Sequence, residues 1–177
     1  MRLPLHLHPD CSANSVEAIE VEASRPAVGT LRLSYRLKGR IGDLLVPGRA
    51  EPERTDALWR RTCFEAFLRE DGREAYVELN LSPSRQWAAY RFETHRCGMS
   101  QLALPPPKIE VRQDGGRLTL DADVDGLPHG AWHLGLSAVI EERDRSISYW
   151  ALAHPPGRPD FHHRDCFRAE LPPPMAE

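Results

Sequence analysis

The sequence predicts an all-β fold: one domain built as an antiparallel β-sandwich or barrel of about nine strands. Three observations predict it. Apolar and polar residues alternate with a period of two through most of the chain, as half-buried strands require. Asp-Gly pairs fall between such segments, at Asp71-Gly72 and Asp114-Gly115-Gly116, where two-residue turns join antiparallel strands. Sixteen prolines and 12 glycines interrupt the apolar stretches too often for long helices.

The segments follow in order. Val16 to Ala23 reads as a strand whose apolar phase slips between Ala18 and Ile19, the mark of a bulge. From Thr30 to Lys38 the alternation is strict: Leu31, Leu33, Tyr35 and Leu37 face one way, and Arg32, Ser34, Arg36 and Lys38 the other. Arg49 to Arg60 is a helical or irregular insert. Thr62 to Arg69 is an aromatic-rich strand that turns at Asp71-Gly72 into Ala75 to Ser82, with Tyr76, Glu78, Asn80 and Ser82 sharing one face. Ser82-Pro83-Ser84 makes a turn, and Trp87 to His95 continues as a strand. Lys108 to Arg112 pairs with Arg117 to Val124. Trp132 to Glu141 alternates again, Glu142 to Arg145 turns, and Ser146 to Ala153 returns. The stretch from His154 is an ordered loop with a short strand near Phe167. No repeat or linker divides residues 1–177, so a single domain is expected.

Composition excludes several classes of function. A net charge of -3 and the lack of a basic run with interleaved aromatics argue against nucleic acid. No apolar stretch is long enough to span a bilayer, and the first residues lack the apolar region of a secretory signal. A cytoplasmic protein with no membrane partner is therefore expected. Cys11, Cys63, Cys97 and Cys166 are scattered, with no C-x-x-C pair, and are expected to be free thiols.

The motifs that could carry chemistry divide into weak and stronger ones. Asp121-x-Asp123-x-Asp125-Gly126 matches the start of a calcium loop, but its twelfth position is Trp132 where a bidentate Glu is needed. The acids fit a solvated strand face instead. His154, His162, His163, Asp165 and Cys166 are metal-ligating residue types without metal-ligand spacing. No nucleophile elbow, phosphate loop or dinucleotide fingerprint is present. Cys63 lies within a strand, where a buried thiol is the default. Glu65 and Glu78 form the carboxylate pair that glycoside chemistry would use, or else salt-bridged sheet residues. The sequence therefore reads as non-catalytic, with no cofactor. Trp59, Glu65, Tyr76, Glu78, Asn80 and Trp87 come from neighbouring segments; flat rings beside carboxylate and amide groups suit a sugar, and the same residues also fill sandwich cores.

Three blocks resemble a known family. They are Trp59-Arg60-Arg61-Thr62-Cys63-Phe64-Glu65-Ala66-Phe67-Leu68; Tyr76-Val77-Glu78-Leu79-Asn80-Leu81-Ser82-Pro83-Ser84 with Gln86-Trp87-Ala88-Ala89-Tyr90-Arg91-Phe92; and Tyr149-Trp150-Ala151-Leu152 with His154-Pro155-Pro156-Gly157 and Pro159-Asp160-Phe161-His162-His163. Together they resemble bacterial DOMON-like domains, in particular the murB-like subgroup, which is similar to the family 9 carbohydrate-binding modules. The resemblance implies a sandwich of immunoglobulin-like or jelly-roll form that binds a ligand. A carbohydrate or related small molecule is favoured, with Trp59 and Trp87 stacking on the sugar and Glu65, Glu78 and Asn80 taking hydroxyls. The alternatives are a haem- or metal-binding domain, using His154, His162 and His163 or a pairing of Met99 with His154 or His162, and a protein-interaction domain presenting its aromatic face.

Overall fold

A computed structural model describes residues 1–174 of the chain. Met175 to Glu177 of the expected single domain lie outside the described residues. Twelve strands make the fold: β1 (Arg2–Leu7), β2 (Val16–Ser24), β3 (Leu31–Gly39), β4 (Cys63–Glu70), β5 (Tyr76–Leu81), β6 (Trp87–Phe92), β7 (Ser100–Gln101), β8 (Lys108–Asp114), β9 (Arg117–Val124), β10 (Trp132–Glu141), β11 (Ile147–Ala151) and β12 (Ala169–Leu171). All nine expected strands are present. β12 is the short strand expected near Phe167, and the two additions are β1 and the two-residue β7.

Every named pair is antiparallel, in the order β7-β6-β5-β4-β10-β11-β1-β2-β3-β9-β8, with β12 on β10. One curled sheet thus folds over on itself, and β1 is the fold line. Arg2 to Leu5 pair with β2, while His6 and Leu7 pair with β11. Pro4 falls in the part of β1 that has a neighbour on one side only, so its missing N–H costs no ladder bond.

The inward faces of the two halves form one core. Leu31, Leu33, Tyr35 and Leu37 of β3 are fully buried against Phe64, Ala66 and Leu68 of β4 and Leu79 and Leu81 of β5. The layers are tied by Tyr35, whose hydroxyl donates to the Glu65 carbonyl at 2.6 Å and whose ring lies 4.9 Å from that of Phe64. β2 does carry an irregularity, but the register shift falls between Val16 and Ala18, ahead of the Ala18–Ile19 step where the sequence placed it.

Asp121 and Asp123 point outward from β9 and pair with Arg112 and Arg32, while Asp125 accepts from the Thr30 hydroxyl at 2.6 Å. The three acids are therefore committed to separate partners along a strand and its exit, as the solvated-face reading requires. The Arg49 to Arg60 insert is irregular rather than helical. It runs beside β6, exchanging backbone bonds from Glu53 and Thr55 to Trp87, and ends in a 3-10 turn at Leu58–Arg60. All four cysteines are free thiols.

Candidate functional site

The second face of the β6-β5-β4-β10-β11 half carries a hollow of about 910 Å³. Alternation puts the residues there. On β4, Phe64, Ala66 and Leu68 turn to the core, so Glu65 and Phe67 turn outward; on β5, Val77, Leu79 and Leu81 turn inward, so Tyr76, Glu78 and Asn80 turn outward. Glu65 stands opposite Asn80, and Phe67 opposite Glu78, so the two glutamates are diagonal neighbours on adjacent strands. Tyr90 of β6 stands opposite Glu78 and Phe92 opposite Tyr76, while Ser137 of β10 stands opposite Glu65. Val139 of β10 with Ile147 and Tyr149 of β11 complete the wall.

This face would be wet in an open sheet. Here the segment from His154 to Phe167 folds back over it. Phe67 gathers the covering rings: Phe161 at 6.5 Å, Phe167 at 6.3 Å and His162 at 5.1 Å between centroids. Tyr76 and Phe92 stack beneath, 5.0 Å apart and nearly parallel. These rings form a second apolar cluster, separate from the core between the layers. On the opposite border, the 3-10 turn sets Trp59 at the mouth. Its indole is 47% exposed, and Met99, at 63%, stands on the same rim. Ala57 just before it and Arg96 in the β6–β7 turn both hold left-handed backbone, at φ 60° and 55°. That conformation costs a non-glycine residue about 1–2 kcal/mol, and here both residues line the hollow.

The floor is acidic and dry. Glu65 and Glu78 are 3% and 5% exposed. Burial, and then the neighbouring Glu78 charge, push the Glu65 carboxyl well above the ordinary carboxylate range, against a hydrogen bond from Ser137 at 3.2 Å. Glu78 is also raised by burial, but the Asn80 amide, donating at 2.8 Å, and the Arg96 charge oppose the rise. Both carboxyl groups are therefore easier to protonate than a solvated glutamate, Glu65 the more strongly.

His162 joins the wall as a neutral imidazole. Burial and the Arg96 charge lower its pKa to about 4. The Arg96 N–H donates to the Tyr76 hydroxyl at 3.1 Å, and that hydroxyl shares a hydrogen bond with His162 Nδ1 at 2.8 Å. His162 Nε2 faces Glu78 Oε2 at 3.7 Å. Asp160 holds the loop to the turn, taking His95 Nε2 at 2.9 Å and the Arg96 guanidinium at 2.8 and 3.1 Å. Burial opposes its charge, but these two partners keep its pKa below the usual carboxylate range. Tyr90 donates to Asp56 at 2.5 Å.

Of the eight residues expected at a site, the structure brings Trp59, Glu65, Glu78 and His162 to the hollow. Tyr76 and Asn80 stand behind it, positioning His162 and Glu78. Trp87 and His154 require correction. Trp87 opposes Leu81, so it points into the core between the layers, under the Arg54 guanidinium at 4.5 Å. It cannot face Trp59 across a ligand. His154 bonds the His6 carbonyl at 2.8 Å and packs edge-on to His8, outside the lining.

The histidines expected to share an ion are likewise engaged apart, since His163 Nδ1 accepts from the Asp165 amide. Among the described residues no group of three or more His, Cys, Asp or Glu side chains is arranged to hold a metal ion. Met99 and His162 do share the hollow, but both ring nitrogens of His162 face protein groups. The Cys63 thiol is buried and pushed well up by that burial. Sequence reasoning missed Tyr90, Phe92, Tyr149, Phe161 and Arg96. The first two could have been found by carrying the alternation of β6 through the hairpin register.

No model of a known protein family matches the sequence, and no curated protein matches it. Solved structures do. A protein from Bacteroides uniformis described as a candidate carbohydrate binder matches with a TM-score of 0.67 and 11% identity, over 97% of this chain and 85% of that one. A family 9 carbohydrate-binding module from Caldicellulosiruptor kristjanssonii matches in two complexes. The glucose complex gives a TM-score of 0.53 and 9% identity over 92% of this chain and 78% of that one. The cellotriose complex gives 0.56 and 8% over 95% and 80%. At such identities the likeness is one of architecture: this chain has the curled, two-layered antiparallel fold that those proteins share.

Proposed function

We propose that this protein is a non-catalytic carbohydrate-binding domain of the DOMON-like kind and that the hollow on the β6-β5-β4-β10-β11 face is its ligand site. The observation that carries the reading is Trp59, a half-exposed indole at the mouth of a cavity floored by two buried carboxyl groups. A pyranose has apolar C–H faces and a polar equator. An exposed indole takes the first, and a donor–acceptor carboxyl pair takes the second. Tyr90, Tyr149 and Phe161 add apolar wall around them. The family 9 module of similar fold, solved with glucose and with cellotriose, supports a sugar over other small molecules.

Tryptophan fluorescence during titration with glucose, cello-oligosaccharides and a wider sugar panel tests the reading. Binding should change the Trp59 emission, and Trp59→Ala should weaken it tenfold or more, about 1.4 kcal/mol. A panel without any response, or equal affinity in Trp59→Ala, removes the reading.

A further inference from the structure

We propose that the carbohydrate taken by this hollow is an anionic one, bearing a carboxylate, phosphate or sulfate group that Arg60 and Arg158 receive at the mouth. The inference rests on the reading of the hollow as a sugar site.

Six ionisable Asp, Glu and Arg side chains line the cavity: Asp56, Glu65, Glu78, Arg60, Arg96 and Arg158. Four of them are already committed. Asp56 accepts from Tyr90, Glu78 from Asn80 and Glu65 from Ser137. Arg96 is balanced by Asp160. Burial pushes the Glu65 carboxyl well up, which favours its uncharged form.

Arg60 and Arg158 remain. Both are exposed and line the hollow, one in the 3-10 turn and one on the loop that covers the sheet. Nearby Arg61 is paired with Glu141 and Arg96 with Asp160, whereas neither Arg60 nor Arg158 has an acidic partner among the described residues. The Arg60 guanidinium lies 5.2 Å from the centre of the Trp59 ring. That places the cation over one face of the indole, so a ligand that meets Trp59 at the mouth comes within reach of a guanidinium. A guanidinium meets a carboxylate or phosphate through two parallel N–H donors, a match that a neutral hydroxyl cannot return.

Calorimetric titration of the full chain with glucose, glucuronate, glucose 6-phosphate and glucose 6-sulfate, at low and high salt, tests this. At least one acidic sugar should bind tenfold or more tighter than glucose, and the preferred one identifies the anionic group. The advantage should shrink as salt screens the exposed guanidinium groups. It should fall toward unity in the Arg60→Gln, Arg158→Gln double variant, whose fold is checked by circular dichroism. Glucose binding as tightly as every acidic sugar overturns the anionic preference and leaves the sugar reading standing. If neither neutral nor acidic sugars bind, both fall together.

Discussion

The outward faces of the two half-sheets are built from the same alternation and have opposite characters. On the β2-β3-β9-β8 half, the outward residues form a ladder of exposed ion pairs: Lys38 with Glu17, Arg36 with Glu22, Arg32 with Asp123 and Arg112 with Asp121. On the β6-β5-β4-β10-β11 half, the outward residues are aromatic rings and two buried carboxyl groups. Charges on the first face stay in water and need little from each other. On the second, Glu65 and Glu78 are buried, and that burial pushes both carboxyl groups above the ordinary carboxylate range. Their burial sets this face apart from the ion-paired one, and it is the face on which the ligand site is proposed.

The comparison sharpens if each face is perturbed in turn. The largest effect is expected at Phe67, the ring on which Phe161, His162 and Phe167 converge. Phe67→Ala should cost about 3–5 kcal/mol in denaturant unfolding and loosen the covering segment, seen as faster amide exchange there. A loss below about 1 kcal/mol would mean that the cover is not held by this cluster.

The next effect belongs to His162. Its folded pKa, about 4, lies below that of an unfolded histidine, so the unfolded state takes the proton first. The stability it protects is present above about pH 6.5 and is lost as the pH falls toward 4, by roughly 3 kcal/mol in all. Glu65 and Glu78 titrate in the opposite sense, because acid favours their folded protonated forms. Comparing the wild type with His162→Gln isolates the histidine: the difference in unfolding free energy should change across that window. A pH-independent difference would show that His162 is not held neutral by the fold.

The smallest effect is expected on the charged face. Arg32→Ala, which removes the partner of Asp123, should cost less than about 1 kcal/mol, and less still in high salt. A salt-insensitive loss of several kcal/mol would erase the contrast between the faces.

Much of this was legible in advance. Nine strands follow from alternation alone, because a strand with one buried face must repeat every second residue. Two were not. In β1 the series Leu3, Leu5 and Leu7 is interrupted by Pro4, which the fold tolerates where β1 has a single neighbour. The two residues of β7 are too few for any pattern. Within the site, Glu65, Glu78 and Trp59 were legible as residue types in the most patterned segments. Trp87 was misplaced because the turn at residues 82–86 sets Leu81 opposite Trp87, which puts the indole on the core side with the leucines. The same register carries Tyr90 and Phe92 to the hollow.

By itself, the sequence determined which residues share a strand face, because that depends on backbone geometry repeating over two residues. It could not determine which face would be covered. That rests on contacts between segments far apart in the chain, such as Asp160 with Arg96, Phe161 with Phe67 and Tyr76 with His162. Only the tertiary structure closes those contacts, and only their closure dries the two carboxyl groups and turns one sheet face into a hollow while its counterpart stays in water.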